Sequence, residues 1–158
     1  PDYVQALAAS VRHTLGDRKP GRLVASYHGM PKRYLLEGDP YHCQCQKTSR
    51  LLQQALGWED GIIDTSFQSV FGPEEWLRPY TVEHVAELAR SGVSDIAVIS
   101  PAFASDCIET LEEINGEIRE SFEHAGGKDF AYIPCLNDDP AHIEVMMGVI
   151  RDNIGGWV

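Results

Sequence analysis

The chain has 158 residues, a length that suits one compact domain with its own hydrophobic core. Its composition, 43% hydrophobic and 23% charged residues, is typical of a soluble globular protein. The formal net charge of -11 argues against a nucleic-acid-binding protein, which needs a face rich in lysine and arginine, but it permits a cationic ligand such as a metal ion.

Four short segments rich in valine, isoleucine, phenylalanine and tyrosine predict β-strands, and amphipathic patterns around them predict helices. The predicted strands cover residues 21–28, 62–70, 95–103 and 129–136. The predicted helices cover residues 2–15, 43–56, 81–92, 105–127 and 139–154. Helix-start signals are Thr81 and the Ser105–Asp106 pair as N-caps, and Pro140 in a first turn.

This alternation predicts an α/β domain over residues 1–158, a four-stranded parallel sheet with helices on both faces, as in Rossmann-like folds. Ligands of such sheets collect beyond the carboxyl ends of the strands. Those ends continue into the segments SYHGMP (26–31), SFQSVFGPEEW (66–76), SPAFASDCIE (100–109) and PCLNDDP (134–140). We therefore expect one edge of the sheet to gather a set of chemically versatile side chains: His28, Gln68, Trp76, Phe103, Ser105, Asp106, Glu109 and Asn137.

His28 is the first candidate for chemistry. A neutral imidazole at a strand end can ligate a divalent transition metal or accept a proton near neutral pH. The alternative is an ordinary loop histidine that caps a turn, and the acids expected at the neighbouring strand end favour the functional role. The remaining histidines lie in helical patterns typical of surface residues: His13, His42, His84, His124 and His142.

An acidic row follows the third predicted strand. Glu109, Glu113 and Glu117 recur every four residues. Each step of four rotates by about 40° on an ideal α-helix, whereas a widened π-type turn would hold the carboxylates closer to one line. For Glu113 and Glu117 two interpretations stay open: a functional role, or membership of a solvated acidic face of the helix. Glu109 is the stronger candidate, because it lies at the strand–helix junction on the same edge as His28.

Aromatic and sulfur-containing residues allow two interpretations each. Trp76 and Phe103 either belong to the core or hold a flat apolar ligand at the ligand-side loops. The four cysteines fit free thiols in a reducing cytosol, and two of them are expected to pack as small apolar groups: Cys107 and Cys135. The longest uncharged stretch is too short to span a bilayer.

Five motifs in order resemble one family: SYHGMP, GDPYHCQCQKT, SFQSVFGPEEWLRPYT, SPAFASDCIETLEEI and YIPCLND. The chain resembles the carboxy-terminal half of the ferrochelatases, in the variant of Gram-negative bacteria, most strongly over residues 22–138. The resemblance implies a lyase of haem biosynthesis that inserts Fe(II) into protoporphyrin IX and releases two pyrrole protons. It also implies a second Rossmann-like domain, the amino-terminal half, which this chain lacks and which supplies the opposite wall of the porphyrin cleft. The isolated chain is therefore not expected to be a complete enzyme.

The same resemblance implies roles for individual residues. His28 matches the family's active-site histidine, assigned either to pyrrole-proton abstraction or to metal binding, and Glu109 matches the glutamate that faces it across the macrocycle. Glu113 and Glu117 match an acidic row proposed as a metal path. Five residues match the porphyrin pocket or the loop that shapes its wall: Trp76, Gln68, Phe103, Ser105 and Asp106.

Ferrous iron is expected as a substrate, and no further cofactor is expected. Some family members hold a [2Fe-2S] cluster on four cysteines. The spacing of the cysteines here differs from that pattern, so we expect no cluster: Cys43, Cys45, Cys107 and Cys135. Coproporphyrin III is the alternative porphyrin, and the Gram-negative likeness favours protoporphyrin IX.

Two other functions stay open from the sequence. One is a non-catalytic module that binds a metal or a tetrapyrrole; the other is a related class II chelatase that acts on another tetrapyrrole. The segments GDPY (38–41) and FGPEEWL (71–77) favour ferrochelatase over the second. We expect a cytoplasmic protein whose membrane contact is at most peripheral, since no strongly amphipathic basic helix is evident.

Overall fold

The structure is a computed structural model that describes residues 2–157, and within them it has four strands, six α-helices and one π-helix. In chain order these are α1 Asp2–Leu15, β1 Arg22–His28, α2 Lys32–Leu36, α3 Tyr41–Leu56, β2 Ile63–Gln68, α4 Thr81–Arg90, β3 Asp95–Ile99, the π-helix Glu109–Ile118, α5 Arg119–His124, β4 Asp129–Ile133 and α6 Pro140–Ile154. No helix in this part of the chain is both long and apolar enough to cross a membrane.

The four strands form one parallel sheet in the order β2-β1-β3-β4, which confirms the predicted α/β fold. At its carboxyl edge, His28 of β1 lies opposite Gln68 of β2. The last residue of β3, Ile99, lies opposite Ala25. The ends of β1 and β2 therefore extend beyond the end of β3 and form the upper part of this edge.

Helices cover both faces of the sheet, as predicted, because side chains of a strand alternate between its two faces. On β1, Leu23, Ala25 and Tyr27 pack into a core with α1 and α3. Val24 points the other way, into a second core with α4, the π-helix and α5. Full burial of each large aliphatic side chain in these cores stabilises the fold by about 1.5–3 kcal/mol.

Three strands end earlier than predicted, each for a local reason. Strand β2 stops at Gln68 because Ser69 takes a left-handed backbone conformation with φ of 59°. Strands β3 and β4 are each followed within two residues by a proline, Pro101 and Pro134, which has no N–H to continue the ladder. The loops that follow the strands are therefore longer than the sequence suggests.

The predicted N-cap role of Thr81 is wrong. Tyr80 is the cap residue of α4, and Thr81 is the first helical residue. The Thr81 hydroxyl instead bonds Ser26 at 2.8 Å and Ser66 at 2.9 Å in a buried cluster. The Thr81 side chain is therefore used for hydroxyl contacts to the sheet and not for capping the helix.

The other two helix-start predictions differ in outcome. Pro140 begins α6, as predicted, and the Asp139 carboxylate caps it by accepting from the Ala141 N–H at 2.8 Å. The Ser105–Asp106 pair is not a cap, because the cap residue of the π-helix is Ile108. The short helix α2 was not predicted.

The histidines other than His28 divide into three groups. Two are exposed, as predicted: His13 and His124. Two are half-buried rather than exposed: His42 and His84. The prediction is wrong for His142, which is 5% exposed and donates from Nδ1 to the Asn137 carbonyl at 2.7 Å. This contact folds the start of α6 back onto the loop before it.

Candidate active site

His28 ends β1 with its imidazole held in one orientation. Its Nδ1 lies 2.7 Å from the Gly29 carbonyl oxygen. Because a carbonyl oxygen only accepts hydrogen bonds, Nδ1 carries the hydrogen in the neutral ring. The ring centroid lies 6.0 Å from that of Phe103, at an interplanar angle of 38°. The remaining nitrogen, Nε2, therefore keeps a lone pair for a proton or a metal ion.

Gly29 fits its position because it has no side chain. Its N–H donates to the Gln68 carbonyl oxygen at 2.7 Å. A Cβ atom added here would lie 2.7 Å from that oxygen and 2.9 Å from Cε3 of Trp76. The backbone next to His28 is thus enclosed between the end of β2 and the indole ring of Trp76.

Gln68 joins the end of β2 to the start of the π-helix. Its side chain is 2% exposed. The amide nitrogen Nε2 donates to the Glu109 carbonyl at 2.7 Å, and Oε1 accepts from the Ser26 hydroxyl at 2.8 Å. Since Gln68 is also the strand partner of His28, this contact brings Glu109 and His28 to the same part of the sheet edge.

Glu109 is an ionised carboxylate at this edge. A hydrogen bond from the Cys107 thiol lowers the pKa of Glu109, with further lowering from a backbone hydrogen bond and, as the smallest cause, from the nearby His28. Burial and the neighbouring carboxylate raise the pKa of the Cys107 thiol, which therefore stays a hydrogen-bond donor. His28 and Glu109, which were both predicted at this edge, lie near enough for His28 to contribute to the lowered pKa of Glu109.

Glu113 and Glu117 lie on a π-helix, a wide helix that is frequent at functional sites. The Glu113 carboxylate accepts from the Ser69 N–H and hydroxyl, each at 2.6 Å, and from Gln68 Nε2 at 3.2 Å. Glu117 is exposed. Both glutamates line a cavity of about 210 Å³ between the π-helix and the start of α4. Glu113 therefore connects β2 to the π-helix, whereas Glu117 makes no such contact to Ser69 or Gln68.

Asp106 is half-buried, and its carboxylate is held by hydrogen bonds within the protein. Its carboxylate accepts from the Tyr132 hydroxyl, from Asn137 Nδ2 at 2.8 Å and from the Cys135 N–H at 3.2 Å. Its own N–H donates to Asn137 Oδ1 at 2.8 Å. Asp106 thus ties the loop before the π-helix to the loop after β4, and its predicted contact with substrate stays a prediction.

The Asp106 network makes an acid-dependent contribution to stability. Partial burial raises the pKa of Asp106, but hydrogen bonds from Asn137, Tyr132 and Cys135 outweigh this and lower it. A lowered pKa in the folded state gives stabilisation that is present above the ordinary pKa of about 4 and is lost as the pH falls through the folded value.

We expect Asp106→Asn to lower the free energy of unfolding by about 1–3 kcal/mol at pH 7, because its new amide N–H₂ faces that of Asn137. The difference from wild type should stay constant from pH 7 to about 5 and shrink as the pH falls below about 4. Urea unfolding at a series of pH values measures it, with Asp138→Asn, an exposed carboxylate in the nearby loop, as the control. A difference that stays constant with pH would contradict this account of Asp106.

The predicted aromatic residues flank His28 in different ways. Trp76 is 5% exposed and packs beneath Phe71, with ring centroids 4.9 Å apart. Phe71 is 72% exposed, so it offers the accessible ring of this pair. Phe103 is half-buried beside His28, and Ser105 is exposed in the loop that follows. Trp76 therefore supports an aromatic surface that Phe71 presents.

The metal-ligand prediction is not accompanied by a preformed cluster. Within residues 2–157, no group of three or more histidine, cysteine, aspartate or glutamate side chains is placed to hold a metal ion. The four cysteines are free thiols in this structure. Cys135 is buried, as expected of a small apolar group, and Cys107 is half-buried.

Several residues that shape the site were not identified from the sequence. Ser69 holds Glu113, Tyr132 holds Asp106, and Tyr41 holds the backbone of His28 through a 2.9 Å hydrogen bond. The partners in these pairs are 13 to 44 residues apart, so no local periodicity reveals them. For Tyr41, the one available signal was the proline before it, since a proline directly after Asp39 is typical of a helix start.

The chain is similar to known proteins over almost its whole length. Residues 1–154 match the family model described as Ferrochelatase. The chain is 67% identical to the ferrochelatase of Rhodobacter capsulatus and 54% identical to that of Rhizobium meliloti (strain 1021), in each case over the whole chain and about 46–47% of the relative's length. The ferrochelatase of Marinobacter nauticus is 49% identical over 99% of the chain and 43% of its own length.

The chain belongs to the ferrochelatase family. It spans about half the length of the curated relatives that it matches.

Proposed function

We propose that the longer protein containing this chain is a ferrochelatase, a lyase that inserts Fe(II) into protoporphyrin IX in haem biosynthesis. The observation that carries the proposal is the placement of the free Nε2 of His28 and the ionised carboxylate of Glu109 at one edge of the sheet. Family membership supports the same activity.

Metal insertion needs a base and a carboxylate of this kind. The porphyrin gives up two pyrrole protons and Fe(II) takes their place, so the macrocycle binds the ion as a dianion. Nε2 of His28 can accept a proton or bind the iron, and the negative charge of Glu109 favours an approaching cation as it loses water. His28 and Glu109 are thus the proposed catalytic residues, with base and metal ligand as the two possible roles of His28.

An aromatic surface next to His28 supports a flat substrate. Phe71 on its Trp76 support and Phe103 on the other side offer apolar rings to a macrocycle. A rigid wall that fits a bent porphyrin better than a flat one exposes the pyrrole nitrogens for metal entry. Gln68 acts here through its contacts to Glu109, since its side chain is buried. Ser105 stays a predicted contact.

The acidic row is the proposed approach of iron to the porphyrin. Glu117 is exposed and lies in the same cavity wall as Glu113. Glu113 already accepts three hydrogen bonds from Ser69 and Gln68, so binding iron there requires it to exchange those donors for the metal. Glu117 is therefore the freer of the two ligands. The proposal includes no [2Fe-2S] cluster and a cytoplasmic location, as the sequence predicts.

We propose that residues 1–158 are the carboxy-terminal domain and that α6 packs against the amino-terminal half of the same protein. Apolar side chains on α6 and just after it are exposed in a stripe with helical spacing: Ile143, Met146, Met147, Val149, Ile150, Ile154 and Trp157. A patch of this kind on one helix is typical of a surface that another domain covers. The curated relatives have about as many further residues as the chain itself, which is enough for such a domain.

This arrangement predicts a large effect of a charge on α6. Ile150→Glu in the full-length protein is expected to lower the free energy of unfolding by about 3 kcal/mol or more, because it buries an unpaired charge. Leu51→Glu, at a similarly exposed apolar position on α3, is the control and should change it by about 0.5 kcal/mol or less. Equal and small effects of both would show that α6 stays exposed.

The activity itself is tested on the full-length protein. Anaerobic mixing with protoporphyrin IX and Fe(II) should convert the absorbance spectrum of the free porphyrin to that of haem, catalytically and with many turnovers. A porphyrin-binding shift without metallation would instead indicate a binding module. Metallation of only a different tetrapyrrole would indicate a related chelatase, and coproporphyrin III in parallel distinguishes the two ferrochelatase substrates.

A further inference from the structure

We propose that Tyr41 is a positioning residue that selects the nitrogen His28 offers to the substrate. Its expected effect on catalysis rests on the proposed function, whereas its effect on the His28 tautomer rests on hydrogen-bond geometry alone. It concerns a residue that touches neither of the reacting groups: the Tyr41 hydroxyl donates to the backbone carbonyl oxygen of His28 at 2.9 Å.

The peptide group between His28 and Gly29 is held at both ends. Its carbonyl oxygen, on His28, accepts from Tyr41 of α3. Its N–H, on Gly29, donates to the Gln68 carbonyl of β2 at 2.7 Å. Two bonds from different elements on opposite ends of one planar group fix the rotation of that plane. The next carbonyl along the chain, that of Gly29, is connected to this held plane through the φ and ψ of Gly29 alone.

That next carbonyl sets the tautomer of His28. The Gly29 oxygen lies 2.7 Å from Nδ1 of the imidazole and can only accept. The neutral ring is therefore protonated at Nδ1, and the basic lone pair is on Nε2. Tyr41 thus acts on the reacting nitrogen through a chain of two backbone groups, without contact to the ring.

Tyr41 is suited to this role by its own environment. It is the first residue of α3, and its N–H donates to Asp39 Oδ1 at 2.8 Å. The backbone that carries the side chain is therefore held in place. The ring is half-buried and packs against the core between the sheet and α3. Burial raises the pKa of Tyr41, so the hydroxyl keeps its proton and acts only as a neutral donor here.

Tyr41→Phe in the full-length protein tests the inference, because it removes one oxygen and keeps the packed ring. Long-range ¹H–¹⁵N correlation spectra at about pH 8.5, above the ordinary histidine pKa of about 6.5, report the tautomer. The His28 signal is assigned by its loss in His28→Gln. We expect the Nδ1–H form in wild type, and a mixture with the Nε2–H form in Tyr41→Phe.

The kinetic expectation is a split between kcat and KM. Loss of one hydrogen bond that orients the base should lower kcat for iron insertion about three- to tenfold, with the KM for porphyrin unchanged. Tyr34→Phe, an exposed tyrosine on α2, is the matched control and should change neither the tautomer nor kcat.

Two outcomes overturn the inference. One is a wild-type His28 in the Nε2–H form, a result that needs no variant and does not depend on folding of a mutant. The other is a Tyr41→Phe protein with the wild-type tautomer and kcat. The spectra are recorded without substrate, so a protein that inserts no iron would refute the proposed function and leave the tautomer test intact.

Discussion

His28→Ala in the full-length protein is expected to lower the rate of iron insertion by about 10²–10⁴, the range typical for loss of a group that transfers a proton in the transition state. The side chain lost here offers Nε2, the nitrogen that the contact between Nδ1 and the Gly29 carbonyl leaves free. Because His28 is only half-buried at a strand end, we expect little change in thermal stability.

The measurement is kcat for haem formation, with porphyrin binding followed separately by absorbance. Binding should persist, since Phe71, Trp76 and Phe103 remain in place. His124→Ala, an exposed histidine at the end of α5, is the control and should have wild-type activity. Near-normal turnover of His28→Ala would remove His28 from the mechanism.

The same variant separates the two roles of His28. A base removes pyrrole protons whatever ion follows, so its loss should slow insertion of Fe(II), Co(II) and Zn(II) by similar factors. A metal ligand prefers some ions over others, so its loss should change these rates unequally. The ratio of the three rates in His28→Ala and in wild type therefore assigns the role.

Glu109→Gln is expected to lower kcat by about 10²–10³, because it removes the negative charge and keeps the shape of the side chain. The charge is present in the wild type over the working pH range, since the Cys107 thiol, a backbone hydrogen bond and His28 all lower the pKa of Glu109. The backbone contact from Gln68 to the Glu109 carbonyl is unaffected, so the π-helix should keep its position.

Glu112→Gln is the matched control for this variant. Glu112 lies on the same π-helix and is exposed, so its charge is available to solvent and should change kcat by less than about twofold. If both variants lost activity equally, the general negative charge of the helix would be responsible. If neither did, the assignment of Glu109 to catalysis would be wrong.

The edge of the sheet that gathers the candidate residues was predictable from the sequence. Four β-rich segments separated by helical patterns lead to a parallel sheet, and parallel strands have their carboxyl ends on one edge. The loops SYHGMP and SPAFASDCIE were therefore expected at that edge. This is why His28 and Glu109, 81 positions apart in the sequence, were expected at the same place.

The direction in which polar side chains point was not predictable. Asp106 and Glu109 are three residues apart, yet one carboxylate is turned inward to Asn137 and Tyr132 while the other stays near His28. Thr81 had the residue type of a helix cap and became part of a hydroxyl cluster with Ser26 and Ser66. In each case the choice depends on donors supplied by a distant strand or loop.

The order of elements, the parallel sheet and the edge at which the candidate residues collect were predictable from local patterns, because strand and helix patterns depend on side chains that are near neighbours along the chain. Only the folded chain shows which nitrogen of His28 is free, which glutamate is held by Ser69 and which aspartate is held by Asn137 and Tyr132. These outcomes depend on hydrogen bonds of about 3 Å between residues that are far apart in the sequence, and such distances exist only after the helices and strands have packed together.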